Sequence, residues 1–314
     1  MPHERRAFGR TGFEASRLGF GAMELMGVSG PEGERTAGAI LHAVLDSGIN
    51  LIDTAPDYGP SEELIGRHLA DRRDEYFLCS KCGCLVGREP RLENGKLEHD
   101  FSRANVRAGV EQSLRRMRTD RIDLVQIHSS PSRSRIEQED TVAEMLALRD
   151  EGKLRFIGMS SVLPDLEDHI AMDVFDAFQI PYSALQPEHE EVLSRAAASG
   201  AATIVRGGVA RGAPAPDHDS SSQHSFWRHF VAQKRDVWEG ARLDELLDGM
   251  TRMEFLLRFV LAHPDLDTTI VGTKNPKHLA DNVGFAEKGP LPIALRDEAR
   301  RRIQALTETN PTGS

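Results

Sequence analysis

The sequence of 314 residues has few cysteines, few aromatic residues and no long apolar run. Its three cysteines all lie within residues 79–84, too few and too close together for a disulfide framework. No segment approaches the roughly 20 apolar residues that cross a bilayer, and no apolar run follows the charged N-terminus as in a signal peptide. A net charge of −10 disfavours nucleic acid as a partner. We therefore expect a cytoplasmic protein that binds neither membranes nor nucleic acids.

The cysteines could also be considered as metal ligands, because the Cys-x-x-Cys spacing suits zinc. They are Cys79, Cys82 and Cys84, and no second pair of cysteine or histidine residues follows them in the sequence. Cys79 also falls inside a predicted buried strand. We therefore predict that all three are small buried side chains and that no metal is bound.

Short apolar runs alternate with amphipathic helical segments along most of the chain. The runs predict strands at residues 18–22, 50–53, 76–81, 122–128, 155–160, 177–180, 202–206 and 268–272. Helices are predicted between them at residues 36–47, 61–69, 102–117, 138–150, 187–199 and 252–262. An open doubly wound sheet is the alternative, but no Gly-x-Gly-x-x-Gly turn follows the first strand. The pattern favours one α/β domain over residues 1–314, folded as a (β/α)8 TIM barrel.

Two segments depart from the repeat. Residues 1–17 carry Gly-Arg-Thr-Gly between two extended pieces, which predicts an N-terminal β-hairpin. Residues 213–247 form a long polar insertion, and such insertions usually occupy the C-terminal, active-site face of a barrel. The insertion is thus a candidate lid or substrate loop. Its aromatic side chains either close over a pocket or pack the insertion onto the barrel; they are Phe226, Trp227 and Trp238.

Candidate catalytic residues were sought at the C-terminal ends of the predicted strands, where barrel enzymes carry their chemistry. The second strand ends in LIDTAPDYG, the third in FLCSKCG and the fourth in LVQIH. Their ionisable residues are Asp53, Tyr58, Lys81 and His128. Taken singly, each has an ordinary structural explanation, such as a turn, a loop aromatic, a strand-end lysine or a cap. Their occurrence at three consecutive strand ends indicates one site.

The chemistry gives each of these residues a role. A phenol has a pKa near 10, and a nearby ammonium group lowers it by stabilising the phenolate. A buried ammonium group in turn needs a carboxylate partner. We therefore expect Asp53 to hold Lys81 charged, Lys81 to tune Tyr58, and His128 to orient a substrate oxygen. Such a site can protonate an oxygen that becomes an alkoxide, as carbonyl reduction requires.

With these motifs in place, the chain resembles the aldo-keto reductases over nearly its whole length. The resemblance includes GRTGFEASRLGFGAM, NLIDTAPDYGPSEELIGRHL, SKCG, EQSLRRMRTDRIDLVQIH, EGKLRFIGMSS and IVGTKNPKHLADN. It implies that Asp53, Tyr58, Lys81 and His128 form the catalytic tetrad of that family. It also implies a nicotinamide cofactor, NADP(H) in preference to NAD(H), bound without a Rossmann motif.

The same resemblance implies a set of cofactor-binding residues. Ser160 and Gln179 match the residues that hold the nicotinamide carboxamide, and Ser161 stands where the family usually has asparagine. Arg206 stands where a tyrosine commonly stacks on the nicotinamide, and a guanidinium can also stack on a planar ring. The pyrophosphate cradle would lie between Gly207 and Gly212 and include Gly208. The 2′-phosphate and adenine end would be met by Gly272, Thr273, Lys274, His278 and Asn282.

The resulting hypothesis is an NADP(H)-dependent enzyme that reduces the carbonyl group of a small aldehyde or ketone. One alternative is a non-catalytic, cofactor-sensing regulatory subunit of the same fold, which the intact tetrad disfavours. A barrel hydrolase is a second alternative, but it needs two opposed carboxylates and the strand ends supply only Asp53.

Overall fold

A computed structural model of the chain describes residues 4–87, 92–93, 96–212 and 225–309. The strands are β1 (Arg5–Ala7), β2 (Glu14–Ser16), β3 (Leu18–Gly21), β4 (Leu51–Asp53), β5 (Phe77–Cys82), β6 (Leu92–Glu93), β7 (Lys96–Leu97), β8 (Ile122–Ile127), β9 (Leu154–Ser160), β10 (Ala177–Pro181), β11 (Ala202–Arg206) and β12 (Thr268–Val271). The parallel strands β3, β4, β5, β8, β9, β10, β11 and β12 close into a barrel, and β1 pairs antiparallel with β2. The predicted fold class and the N-terminal hairpin are therefore confirmed.

Helices follow most of the barrel strands and cover them on the outside. They are α1 (Gly30–Asp46), α2 (Ser61–Leu69), α3 (Arg103–Met117), α4 (Arg133–Gln138), α5 (Thr141–Asp150), α6 (Asp165–Ala171), α7 (Glu190–Ala198), α8 (Ser225–Gly240), α9 (Arg252–Leu261), α10 (Pro276–Glu287) and α11 (Ile293–Thr309). A large apolar cluster lies between these helices and the strands. Within the described residues, no helix is both long enough and apolar enough to cross a membrane.

The hairpin closes the N-terminal end of the barrel. Phe8 is fully buried, and its ring meets that of Phe77 edge-on with centroids 5.2 Å apart. These rings join the apolar side chains that fill the lower barrel interior. At Gly9 the backbone has φ +48°, and a Cβ atom would lie only 2.3 Å from the Ala202 amide nitrogen, so only glycine fits there. With one end closed, the interior is open to ligands from the C-terminal ends of the strands.

Some predicted helix boundaries were wrong. The helix predicted at 138–150 is α5, which begins only at Thr141, because Asp140 adopts φ +53° and separates it from α4, whose last residue is Gln138. Helix α1 begins at Gly30, six residues before the predicted start, with Pro31 at its first turn. The helices α4, α6, α8 and α11 were not predicted.

Residues 225–247 of the predicted insertion 213–247 lie within the described part of the chain. Residues 213–224 and the side chains of Phe226 and Trp227 lie outside the described residues. Residues 225–240 form α8, which packs against the 3-10 turn Ala210–Gly212 and against α11. Trp238 is fully buried, its indole N–H donates to Asp244 Oδ1 at 3.0 Å, and its ring meets Phe255. Of the two roles considered for this tryptophan, packing onto the barrel is the one observed.

Candidate active site

The centre of the site is a buried ion pair between neighbouring strands. Lys81 on β5 places Nζ 2.7 Å from Oδ2 of Asp53, the last residue of β4, and both side chains are almost inaccessible to solvent. The ammonium group also donates to the Thr54 carbonyl at 2.8 Å. Burial alone would lower the pKa of Lys81, but the Asp53 carboxylate outweighs that effect and the net shift is upward. Lys81 is therefore fully charged near neutral pH.

Two amide side chains complete the shell of the carboxylate. Gln126 Nε2 on β8 and Gln179 Nε2 on β10 donate to Asp53 Oδ1 at 2.8 and 2.9 Å. Four strands thus hold this carboxylate inside the barrel. Sequence analysis overlooked Gln126, although it lies two residues before His128 and so faces the same side of β8.

Tyr58 lies beside this pair on the loop after β4. The loop is fixed by Tyr58 N–H donating to the Ala55 carbonyl and by Gly59, whose φ of +52° and close approach to the Met26 carbonyl exclude a side chain. Lys81 Nζ lies 5.2 Å from the centroid of the Tyr58 ring. The predicted neighbourhood of tyrosine, lysine and aspartate is therefore present in the structure.

The direction of the Tyr58 pKa shift differs from the sequence expectation. Burial raises the pKa of the phenol above its usual value, and the opposing effect of Lys81 does not reverse this. The expectation considered the ammonium group but not the loss of water around the phenol. In this environment Tyr58 is a protonated phenol with a cation close to its ring.

His128 follows β8 and completes the group. Its ring and that of Tyr58 have centroids 6.1 Å apart and are nearly perpendicular. Burial, reinforced by the positive charge of Lys81, lowers the pKa of His128 well below its usual value, so the imidazole is neutral. The four residues predicted from separate strand ends thus lie in one site.

Three further polar residues surround Nδ1 of His128. The sulfur of Cys84 and Nε2 of His99 each lie 3.4 Å from Nδ1, and Asp57 Oδ2 lies 3.6 Å from it. Sequence analysis considered Cys84 only with its neighbouring cysteines, and it passed over Asp57 and His99. The clue for Asp57 was its place beside Tyr58, whereas His99 is brought here only by the fold.

The residues predicted to hold the carboxamide are at the same end of the barrel, but their side chains already bond one another. Ser160 Oγ donates to Gln179 Oε1 at 3.4 Å, and Gln179 bonds Asp53 as described. Ser161 is fully buried, and its hydroxyl lies 2.9 Å from Ser130 Oγ and 2.8 Å from His169 Nδ1. A carboxamide contact by Ser161 stays a prediction that would require its hydroxyl to exchange one of these partners.

The loop after β11 offers an unpaired cation and an exposed glycine. Within the described part of the chain, the guanidinium group of Arg206 has no hydrogen bond or ion pair, and burial lowers its pKa. Gly207 has φ +74° and open space where a side chain would stand. Gly208 lies close to Thr269, and Gly212 has φ +78° at the end of a 3-10 turn. An unpaired guanidinium next to accessible backbone fits an anionic ligand.

The segment after β12 contains the remaining predicted contacts. Gly272 packs against β3, where a Cβ atom would lie 2.2 Å from the Gly21 carbonyl oxygen. Lys274 is exposed beside the N-terminus of α10, and His278 and Asn282 are the third and seventh of the 12 residues of that helix. The amide of Asn275 already donates to Thr273 Oγ1 at 3.0 Å. The amide of Lys277 is likewise capped by the Asn275 side chain. An anion at this helix end would therefore be attracted mainly by the charge of Lys274, because the amides of Asn275 and Lys277 already have acceptors.

Comparison with known proteins agrees with this geometry. The chain matches the sequence model of the Aldo/keto reductase family over residues 17–300. Aldo-keto reductase YhdN from Bacillus subtilis is 30% identical over 290 residues, covering 86% of this chain and 84% of that protein. The NADP(+) aldo-keto reductase yakc from Schizosaccharomyces pombe is 28% identical over 308 residues, covering 91% and 87%. The holo structure of aldo-keto reductase AKR11C1 from Bacillus halodurans has a TM-score of 0.76 at 30% identity, covering 97% and 96%.

The chain belongs to the aldo/keto reductase family, since the family match spans most of its length. The resemblance inferred from its motifs is confirmed. The chain is therefore an NAD(P)H-dependent oxidoreductase. The family to which it belongs uses nicotinamide cofactors and acts on small carbonyl compounds.

Proposed function

We propose that this chain uses NADP(H) to reduce an aldehyde or ketone to the alcohol, with Tyr58 as the proton donor. The observation that carries the proposal is the buried Lys81–Asp53 pair at 2.7 Å, with the ammonium group 5.2 Å from the Tyr58 ring. A buried cation next to a protonated phenol suits a site that must stabilise a phenolate once the proton has left. The proposal treats residues 1–314 as one catalytic domain.

Each residue of the site has a separate task. Tyr58 gives its phenolic proton to the carbonyl oxygen, and Lys81 stabilises the phenolate that remains. Asp53 keeps Lys81 charged and oriented. His128, neutral in this environment, donates its ring N–H to the same carbonyl oxygen and so orients the substrate.

The residues present fit a dinucleotide. When bound, the nicotinamide supplies the hydride that reduces the carbonyl carbon. Arg206 provides an otherwise unpaired cation within the described residues, and Gly207 leaves open space beside the backbone. Gly207, Gly208 and Gly212 are the candidates for the pyrophosphate loop. Ser160, Ser161 and Gln179 are the candidates for the carboxamide, and Gly272, Thr273, His278 and Asn282 for the adenosine end.

The preference for NADP(H) rests on Lys274. It is exposed next to the N-terminus of α10, where the helix dipole adds to its own positive charge. A 2′-phosphate, which NADH lacks, would interact with both. The NADP(+)-named relative from Schizosaccharomyces pombe gives this assignment independent support.

Substituting Tyr58 with phenylalanine tests the proposal. The variant should lower kcat by about two to four orders of magnitude, the usual contribution of a positioned acid. Oxidation of NADPH in the presence of small aldehydes and ketones measures it, and the dissociation constant of NADPH should change little. Tyr76→Phe is the matched control, because Tyr76 is buried just before the N-terminal end of β5, far from the site. A Tyr58→Phe enzyme as fast as the control would refute the role of Tyr58.

A further inference from the structure

Four side chains next to the proposed catalytic residues have the composition of a transition-metal site. Asp57, Cys84, His99 and His128 each point one ligand atom at a common centre, and these atoms lie within 4.8 Å of one another. They come from the loops after β4, β5 and β8 and from the segment that follows β7. We propose that this cluster binds one divalent transition-metal ion of the zinc type, through one sulfur, two nitrogens and one carboxylate oxygen, in place of the sequence-based expectation that Cys84 is only a small buried side chain and that no metal is bound.

The spacing of the ligand atoms around His128 Nδ1 fits tetrahedral coordination, and the wider separations in the cluster, which reach up to 4.8 Å, would have to shorten on metal binding. A zinc centre with bonds of about 2.0–2.3 Å holds its ligand atoms roughly 3.3–3.8 Å apart. His128 Nδ1 lies 3.4 Å from Cys84 Sγ, 3.4 Å from His99 Nε2 and 3.6 Å from Asp57 Oδ2. Cys84 Sγ and His99 Nε2 are 4.0 Å apart. The nitrogen–nitrogen and nitrogen–oxygen separations exceed the 2.7–3.2 Å of good hydrogen bonds, so only the Cys84 thiol, which bonds Asp57 and lies near His128 Nδ1, makes hydrogen bonds of ordinary length within the cluster.

The hydrogen bonding of His99 directs a lone pair at the centre. Its Nδ1 lies 2.8 Å from the Leu97 carbonyl oxygen, which can only accept, so Nδ1 carries the proton of the neutral ring. Nε2 is then unprotonated and faces the cluster. A backbone carbonyl that orients a histidine in this way is the usual second partner of a metal-binding histidine. The Ser129 hydroxyl lies 3.2 Å from the same nitrogen and can donate to it, in competition with a metal ion.

The backbone holds two of the ligands in place. Cys84 and His99 face each other in an isolated antiparallel bridge. The Asp100 amide donates to the Gly83 carbonyl at 2.8 Å beside that bridge. Asp57 adds a second indication of an absent partner, because its Oδ1 is buried without a hydrogen bond among the described residues. A buried carboxylate oxygen without a partner is destabilising unless something binds it.

Charge and ligand type select the class of ion. A thiolate and a carboxylate together neutralise a divalent cation, which limits the cost of placing it in a largely buried site. The thiol proton of Cys84 passes to solvent on binding. Sulfur and imidazole ligands favour zinc, cobalt or copper over magnesium and calcium. The ion would hold His128 by Nδ1 and so fix its proton on Nε2.

Titration of the purified protein with Co²⁺ tests the site without cofactor or substrate, so the result does not depend on the proposed reductase activity. The wild-type chain should bind one equivalent and show a thiolate-to-cobalt charge-transfer band with tetrahedral visible absorption. Cys84→Ser should abolish that band, and His99→Gln should retain it but weaken binding. Loss of an outer partner alone weakens metal sites about 10–100-fold, so loss of a ligand should cost at least about 100-fold.

Cys82→Ser is the matched control. It removes a buried thiol two residues from Cys84 that contacts Met145 outside the cluster, and its titration should equal that of the wild type. Circular dichroism identifies a variant that has not folded. If either Cys84→Ser or His99→Gln has not folded, the Co²⁺ titration of the other variant tests the site. The proposal is overturned if the wild type gives no charge-transfer band, if Cys84→Ser retains it, or if Cys82→Ser loses it.

Discussion

Replacing Lys81 with methionine removes one half of the buried ion pair and leaves the other half in place. The two charged atoms are 2.7 Å apart, with side chains 0% and 3% exposed. At an effective dielectric constant of about 20, unit charges at this separation attract by about 6 kcal/mol. Dehydration of both groups offsets part of that attraction. Losing one partner of such a pair costs about 3–5 kcal/mol, because the remaining charge stays buried.

The surroundings of Asp53 place the expected loss near the lower end of this range. Gln126 and Gln179 still donate to Oδ1 in the variant. We therefore expect Lys81→Met to lower the free energy of unfolding in urea at pH 7 by about 3 kcal/mol. Adding Asp53→Asn should recover part of the loss, since no charge then remains buried.

Lys277→Met provides the control for removing a lysine. Lys277 pairs with Asp281 at 3.2 Å, but these side chains are 81% and 41% exposed, so the variant should lose less than about 1 kcal/mol. Both proteins are compared by urea unfolding and by NADPH turnover, and only Lys81→Met should lose activity. A destabilisation as small as that of the control, or strict additivity of Lys81→Met and Asp53→Asn, would refute the reasoning.

Three further predictions follow from the charged groups. Lys274→Ala should weaken NADPH about 10–100-fold and leave NADH almost unchanged in fluorescence titrations, with Lys277→Ala as control; equal effects on both cofactors would exclude a 2′-phosphate contact. Arg206→Met should weaken the binding of both NADPH and NADH about tenfold or more and leave Tm unchanged or raise it. A lower Tm would contradict the view that Arg206 has no stabilising partner. Burial raises the pKa of Asp267 to about 6 in the folded state. As the pH rises from 4 to 7, the wild type should therefore lose up to about 3 kcal/mol of unfolding free energy relative to Asp267→Asn. A difference between the two proteins that does not change with pH would contradict the raised pKa.

Strand positions were predictable because each barrel strand is a short apolar run with parallel neighbours, as the fully buried β5 illustrates. The same regularity placed Asp53, Lys81 and His128 at strand ends, and hence together. The helix predicted at 138–150 shows the limit of this reasoning. Its observed start at Thr141 depends on the left-handed backbone of Asp140, which an apolar pattern does not encode.

Side-chain partners were predictable only where chemistry required them. A buried lysine needs an anion, so the pairing of Lys81 with Asp53 could be anticipated. The pKa direction of Tyr58 could not, because it depends on how completely the fold removes water from the phenol. His99 reaches the site through pairing with Cys84, a contact across 15 residues that no local pattern marks.

The balance of charge at the barrel mouth links the ion pair to cofactor binding. The protein as a whole carries a net charge of −10, yet Lys81 and Arg206 face the same interior. Asp53 neutralises only the first, and Arg206 has no ion-pair partner in the described part of the chain. Low-dielectric walls concentrate the field of such an unpaired cation toward the opening, so an anion entering there gains more than at the surface. A dinucleotide phosphate can supply that anion, whereas a neutral carbonyl substrate cannot. From this asymmetry we expect the cofactor to bind first and the substrate then to meet Tyr58 in a site whose charge is already balanced.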